Sequence, residues 1–112
     1  MNRRGHRRMQ VKGIAADISD GRGFFSGTVH DISRFGVSLD DVPQKLNAHV
    51  PKLTIILDGR GGHFKLKLFP RWESAAGLRK TVGCQIELSP LQWTEFVMRF
   101  EPKKDDIWGK GD

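Results

Sequence analysis

Lys52-Leu53-Thr54-Ile55-Ile56-Leu57-Asp58-Gly59-Arg60-Gly61-Gly62-His63-Phe64-Lys65-Leu66-Lys67-Leu68 is the stretch that decides the fold class. Apolar residues recur at every second position: Leu53, Ile55 and Leu57 before the glycines, Phe64, Leu66 and Leu68 after them. In an extended chain successive side chains point to opposite sides, so this period of two gives each segment one buried face. Lys65, Lys67 and Arg71 fall on the other, solvated face of the return strand, which runs over residues 63–73. Asp58-Gly59-Arg60-Gly61-Gly62 tolerates positive φ, so the pair is read as a hairpin. The glycine run has neither the Lys-Ser/Thr ending of a phosphate loop nor the strand-to-helix context of a dinucleotide fingerprint.

The same reading extends outward. Downstream, residues 80–88 carry Val82, Cys84, Ile86 and Leu88 on one face and pair with the strand before them. Upstream, residues 10–18 and 24–31 form another hairpin around Ser19-Asp20-Gly21-Arg22-Gly23, and alternation resumes at Val37-Ser38-Leu39-Asp40 before breaks at Pro43 and Pro51. One helix is predicted at about residues 90–100, with Ser89 as N-cap, Pro90 at the first helical position and Gln92 completing a capping box. Trp93, Phe96, Val97 and Phe100 form its apolar stripe, and Pro102 stops it. The pattern is all-β with one C-terminal helix, a barrel or a sandwich.

Composition bounds the function. At 112 residues and 38% apolar, the chain supports one core and one domain. The single cysteine, Cys84, excludes an intramolecular disulfide and a cysteine metal cluster, and it is read as a small buried hydrophobe in a reducing compartment. Neither a signal peptide nor a membrane span is expected, since the apolar runs are strand-sized. His6, His30, His49 and His63 are too scattered for a metal or base–nucleophile site, and the adjacent Asp40 and Asp41 are read as solvated. No catalytic residues and no metal ligands are assigned. Most of the net charge of +6 comes from Arg3, Arg4, Arg7 and Arg8, a mobile tail or an anion clamp.

Two separated elements define a candidate site. Arg4-Gly5-His6-Arg7-Arg8 has the form R-x-x-x-R, and Asp31-Ile32-Ser33-Arg34-Phe35-Gly36 has the form D-x-S-x-x-G, one hairpin further on. In this order and separation they resemble the two motifs of the PilZ domain family. Arg8-Met9-Gln10-Val11 is similar to the family's approach to its first strand, Gly27-Thr28-Val29-His30-Asp31-Ile32-Ser33 to the second strand running into its motif, and Val82-Gly83-Cys84-Gln85-Ile86-Glu87-Leu88-Ser89-Pro90 to the last strand and helix start. Arg3 and Arg7 also fit R-x-x-x-R; Arg4 and Arg8 are preferred because Arg8 directly precedes the strand.

The resemblance implies a six-stranded antiparallel PilZ-type β-barrel, split-barrel-like, over residues 10–100. A flexible arginine-rich arm (residues 1–9) precedes it and a disordered tail (residues 101–112) follows. It implies a cytoplasmic receptor for cyclic di-GMP, with no other cofactor, that is not an enzyme and relays the signal by conformational change to a downstream protein. Arg4, Arg8, Asp31, Ser33 and Gly36 would bind the ligand, with Arg3, Arg7, Arg34 and Arg71 as supporting charges. The residue types suit that ligand. An arginine fork bonds phosphate oxygens or the O6/N7 edge of guanine in pairs, and its face stacks on a base. Asp31 can accept from guanine N1 and N2, Ser33 adds a hydroxyl, and Gly36 permits positive φ or close backbone approach. One ligand or an intercalated pair would both fit. Two rival readings are a PilZ-like protein-interaction adaptor without nucleotide and a small-barrel nucleic-acid module. The second is disfavoured because charge concentrates in the arm and not along a groove.

Overall fold

The computed structural model describes residues 7–102. Arg3 and Arg4, and residues 103–112 of the tail, lie outside the described residues. Seven antiparallel strands are followed by one helix: β1 (Met9–Gln10), β2 (Ala15–Ser19), β3 (Phe24–Ser33), β4 (Gly36–Pro43), β5 (Leu53–Gly59), β6 (Gly62–Ala76), β7 (Arg79–Ile86) and α1 (Leu91–Met98). Strands β3-β2-β5-β6-β7-β4 pair in that order and β4 pairs back to β3, closing a six-stranded barrel with β1 outside the ring. Closure removes the free edges that an open sheet would expose.

The alternating residues fill the barrel. Leu53, Ile55, Leu57, Leu66, Leu68, Val82, Cys84 and Ile86 are all buried in one core. The hairpin of β5 and β6 turns through Gly59, Arg60 and Gly61, all at positive φ. Leu88 differs from its expected place: β7 ends at Ile86, and Leu88 is 82% exposed. The expected first strand divides into β1 and β2. Val11 N–H still bonds His30 O and Ile14 O still accepts from Val29, so the chain bows out over Lys12 and Gly13 and then rejoins β3.

Helix α1 covers one end of the barrel with Trp93, Phe96 and Val97, each worth about 1.5–3 kcal/mol of burial. Phe64, Trp93, Phe96 and Phe100 pack there with ring centroids 5.1–5.7 Å apart. The predicted cap is absent. Pro90 occupies the N-cap in extended conformation with no side-chain cap bond, because the Ser89 hydroxyl donates instead to Arg34 O at 2.8 Å.

Two polar groups pin the loops. Asp20 accepts from Arg22 N (2.9 Å), Gly23 N (2.8 Å) and Asn47 N (3.0 Å), and these donors hold its carboxyl below the ordinary range. Buried Lys80 donates to Leu46 O at 2.6 Å and pairs with Glu73 at 2.8 Å, which lowers the Glu73 pKa. Asp40 is not simply solvated: it accepts from Thr81 (2.8 Å) and Asp41 N (2.8 Å), and both bonds favour its charged form.

Candidate ligand-binding site

Strand register builds the site. Asp31 lies opposite Ser38, Ser38 opposite Gly83 and Gly83 opposite Trp72; one step along, Ser33 lies opposite Gly36, Gly36 opposite Gln85 and Gln85 opposite Phe69. Directly opposed residues in a sheet share a face, so these eight form two rows on the outside of β3, β4, β7 and β6. The spacing D-x-S puts Asp31 and Ser33 on one side of β3, and the two-residue turn Arg34-Phe35 returns Gly36 beside Ser33. A cavity of about 370 Å³ opens here, lined by Arg8, Ser33, Gly36, Arg71, Trp72 and Gln85 among others.

Two β-bulges aim the walls. His30 is the extra residue of β3 against β4, immediately before Asp31, and Arg71 is the extra residue of β6 against β7. Pro70, which has no N–H to give the ladder, precedes the second bulge. Neighbours in a regular strand face opposite ways; the bulge lets both Arg71 and Trp72 line the cavity. Arg71 thus continues the outer Lys65–Lys67–Phe69 face, and the bulge brings Trp72 onto it as well. Arg71 Nε and Nη2 donate to Gln85 Oε1 at 3.0 and 2.7 Å, and its guanidinium lies 5.3 Å from the centre of the Phe69 ring.

Arg8 Nη1 donates to Asp31 Oδ1 at 3.0 Å, joining the second arginine of the first motif to the aspartate of the second. The Ser33 hydroxyl has no hydrogen-bond partner among the described residues although the residue is only 6% exposed. A buried hydroxyl normally finds one. Gly36 is required for space, not for positive φ: a Cβ would stand 3.0 Å from Cys84 O, 3.4 Å from Ser33 Oγ and 3.5 Å from Arg8 Nη1. Gly83 plays the same part for Trp72, whose indole lies where a Cβ would project. Cys84 supplies no thiolate to this floor, since burial pushes its pKa up to about 12.

Arg34 faces elsewhere. Its fork bonds both carboxylate oxygens of Glu101 at 2.9 and 2.8 Å, which raises its pKa. Glu101, the first residue assigned to the tail, is thus tied to the turn. Trp93 Nε1 donates to Ser33 O at 3.2 Å and Ile86 N to Phe35 O at 2.9 Å, so the rear of the turn rests on α1 and on the end of β7. Of the sequence-assigned residues, Arg8, Asp31, Ser33, Gly36 and Arg71 come together; Arg7 is exposed with no ion pair among the described residues. Trp72, Gly83 and Gln85 were not assigned from sequence. The signal for them is Pro70 in a strand pattern, which marks a bulge. Among the described residues no cluster of His, Cys, Asp and Glu suits a metal ion, and no helix is long and apolar enough to cross a membrane.

No family model matches the sequence, and no curated protein matches it. Solved structures do. The Bacillus subtilis inhibitor of motility MotI superposes with a TM-score of 0.72 at 10% identity, over 89% of this chain and 50% of that one. The K. pneumonia MrkH–c-di-GMP complex gives 0.67 at 14%, over 99% and 55%. The Borreliella burgdorferi PlzA protein in complex with c-di-GMP gives 0.65 at 12%, over 97% and 54%. At these identities the likeness defines the fold, a barrel of the type found in c-di-GMP complexes. This chain spans about half the length of each.

Proposed function

We propose that this chain is a receptor for cyclic di-GMP that binds the dinucleotide against the Asp31–Gly36 turn and performs no chemistry on it. The observation that carries the reading is the buried Ser33 hydroxyl, without a partner among the described residues, facing a cavity bordered by the Arg8–Asp31 pair. In this proposal Asp31 accepts from guanine N1 and N2, Arg8 bonds a phosphate or the O6/N7 edge, and Ser33 donates to the ligand. The missing side chain of Gly36 lets the ligand approach the strand. Trp72 offers an apolar face for a base. Arg4, with Arg3 and Arg7 as supporting charges, closes over the ligand.

Relay to a downstream protein runs by the same turn, which is hydrogen-bonded from behind by Trp93 and Ser89 and ion-paired to Glu101. A ligand that repositions Ser33 acts on α1 through these bonds. Two neighbours of the same fold being c-di-GMP complexes supports the ligand class. Several charge-assisted bonds less the ordering cost give an affinity on the order of micromolar.

Calorimetric titration tests the reading, with cyclic di-GMP injected into wild type, Arg8→Ala and Asp31→Ala and with GTP and cyclic di-AMP as controls. Saturable heat with wild type alone is expected, and the same experiment gives the stoichiometry. No heat at tens of micromolar protein would overturn the ligand and leave the adaptor reading in its place.

A further inference from the structure

We infer that Gln85 is a positioning residue that holds Arg71 as a phosphate-gripping group on the β6 wall, opposite Arg8. The inference rests on the cyclic di-GMP reading and adds an element outside both sequence motifs. A long arginine side chain on a surface ordinarily samples many rotamers, and fixing it costs free energy at the moment of binding. Here that freedom is already reduced. Gln85 Oε1 accepts two of the five guanidinium N–H groups, and Phe69 lies against the plane.

The remaining N–H groups of Arg71, and the Nε2 amide of Gln85, have no partner among the described residues. Gln85 stands directly opposite Gly36, where no side chain intervenes. An anion in the cavity therefore meets the free N–H groups of Arg71, held in place by Gln85, on the β6 side and Arg8 on the β3 side. A planar fork fits a phosphodiester in two bonds, and cyclic di-GMP carries two phosphodiesters on opposite sides of its ring, so two separated grips match it. Asp31 keeps the guanine edge. Arg71 and Gln85 then set affinity for the phosphate and leave base choice unchanged.

The test is titration of cyclic di-GMP into wild type, Arg71→Ala, Gln85→Leu and the double variant, with melting temperatures as a folding control and ³¹P NMR of the bound ligand. Arg71→Ala is expected to weaken binding about thirty-fold and Gln85→Leu about five-fold. The double variant should be no weaker than Arg71→Ala alone, because Gln85 acts through Arg71. The ³¹P shift seen with wild type should shrink in Arg71→Ala at ligand saturation, a readout that a purely structural role would not move. Should Arg71→Ala fail to fold, Arg71→Lys, which keeps the charge and loses the fork, is expected to weaken binding about ten-fold. Wild-type binding with both Arg71 variants within two-fold of it, or an unchanged ³¹P shift, overturns the inference alone. Absence of binding by wild type overturns the cyclic di-GMP reading and this one with it.

Discussion

The turn at Ser19–Gly23 and the turn at Ser33–Gly36 use the same residue types and leave them in opposite states. In the first, Asp20 is 8% exposed and accepts from three backbone N–H groups, and Ser19 Oγ accepts from Gly21 N at 3.2 Å. Both side chains are used: Ser19 and Asp20 hold the β2–β3 hairpin, and Asp20 also ties in the 44–49 loop. In the second, Asp31 has one arginine partner at the cavity's edge and the Ser33 hydroxyl has none among the described residues. Aspartate, serine and glycine in a turn are thus not a site by composition. What separates structure from site is whether the backbone satisfies them.

That contrast can be broken by substitution. Asp31→Ala should lower cyclic di-GMP affinity at least about a hundred-fold, while urea unfolding moves by no more than about 0.5–1 kcal/mol, since an exposed ion pair contributes little. Asp20→Ala should do the reverse, costing about 2–4 kcal/mol because buried N–H groups lose their acceptor, with ligand affinity unchanged in the folded fraction. Ser33→Ala sharpens the difference. Removing a buried hydroxyl with no partner among the described residues should leave stability unchanged or raise it by up to about 1 kcal/mol, yet weaken the ligand about ten-fold. A stability loss above about 1 kcal/mol would mean that the hydroxyl is structural.

The smallest effect is in acid. The folded-state pKa of Asp20 lies below its ordinary value of 3.8, so the folded state binds its proton less readily than the unfolded chain. Its stabilisation is complete above that value and is lost as pH falls through the lower, folded one. Urea midpoints between pH 5 and 2 should therefore fall less steeply in Asp20→Asn than in wild type.

Much of the barrel was legible because a period of two is a direct record of which face is buried, as Leu53 to Leu68 show. The D-x-S spacing was legible for the same reason. Two kinds of feature were not. The site's far wall depends on β6–β7 register, which no local pattern carries: a regular strand puts Arg71 outward with Lys65 and Lys67 but Trp72 toward the core, and only the bulge after Pro70 turns Trp72 out beside Arg71. The helix cap failed because Ser89 had a second acceptor, Arg34 O, brought from 55 positions away. Sequence spacing sees the nearby partner and not the distant one.

Amide chemical-shift mapping during a cyclic di-GMP titration tests the central claim most directly. The account predicts that Ser33, Gly36, Gly83 and Gln85 move most, Trp93 less, and the Asp20 turn hardly at all. Saturable binding with the largest shifts at the Asp20 turn, at the 44–49 loop or at Lys65 would contradict it.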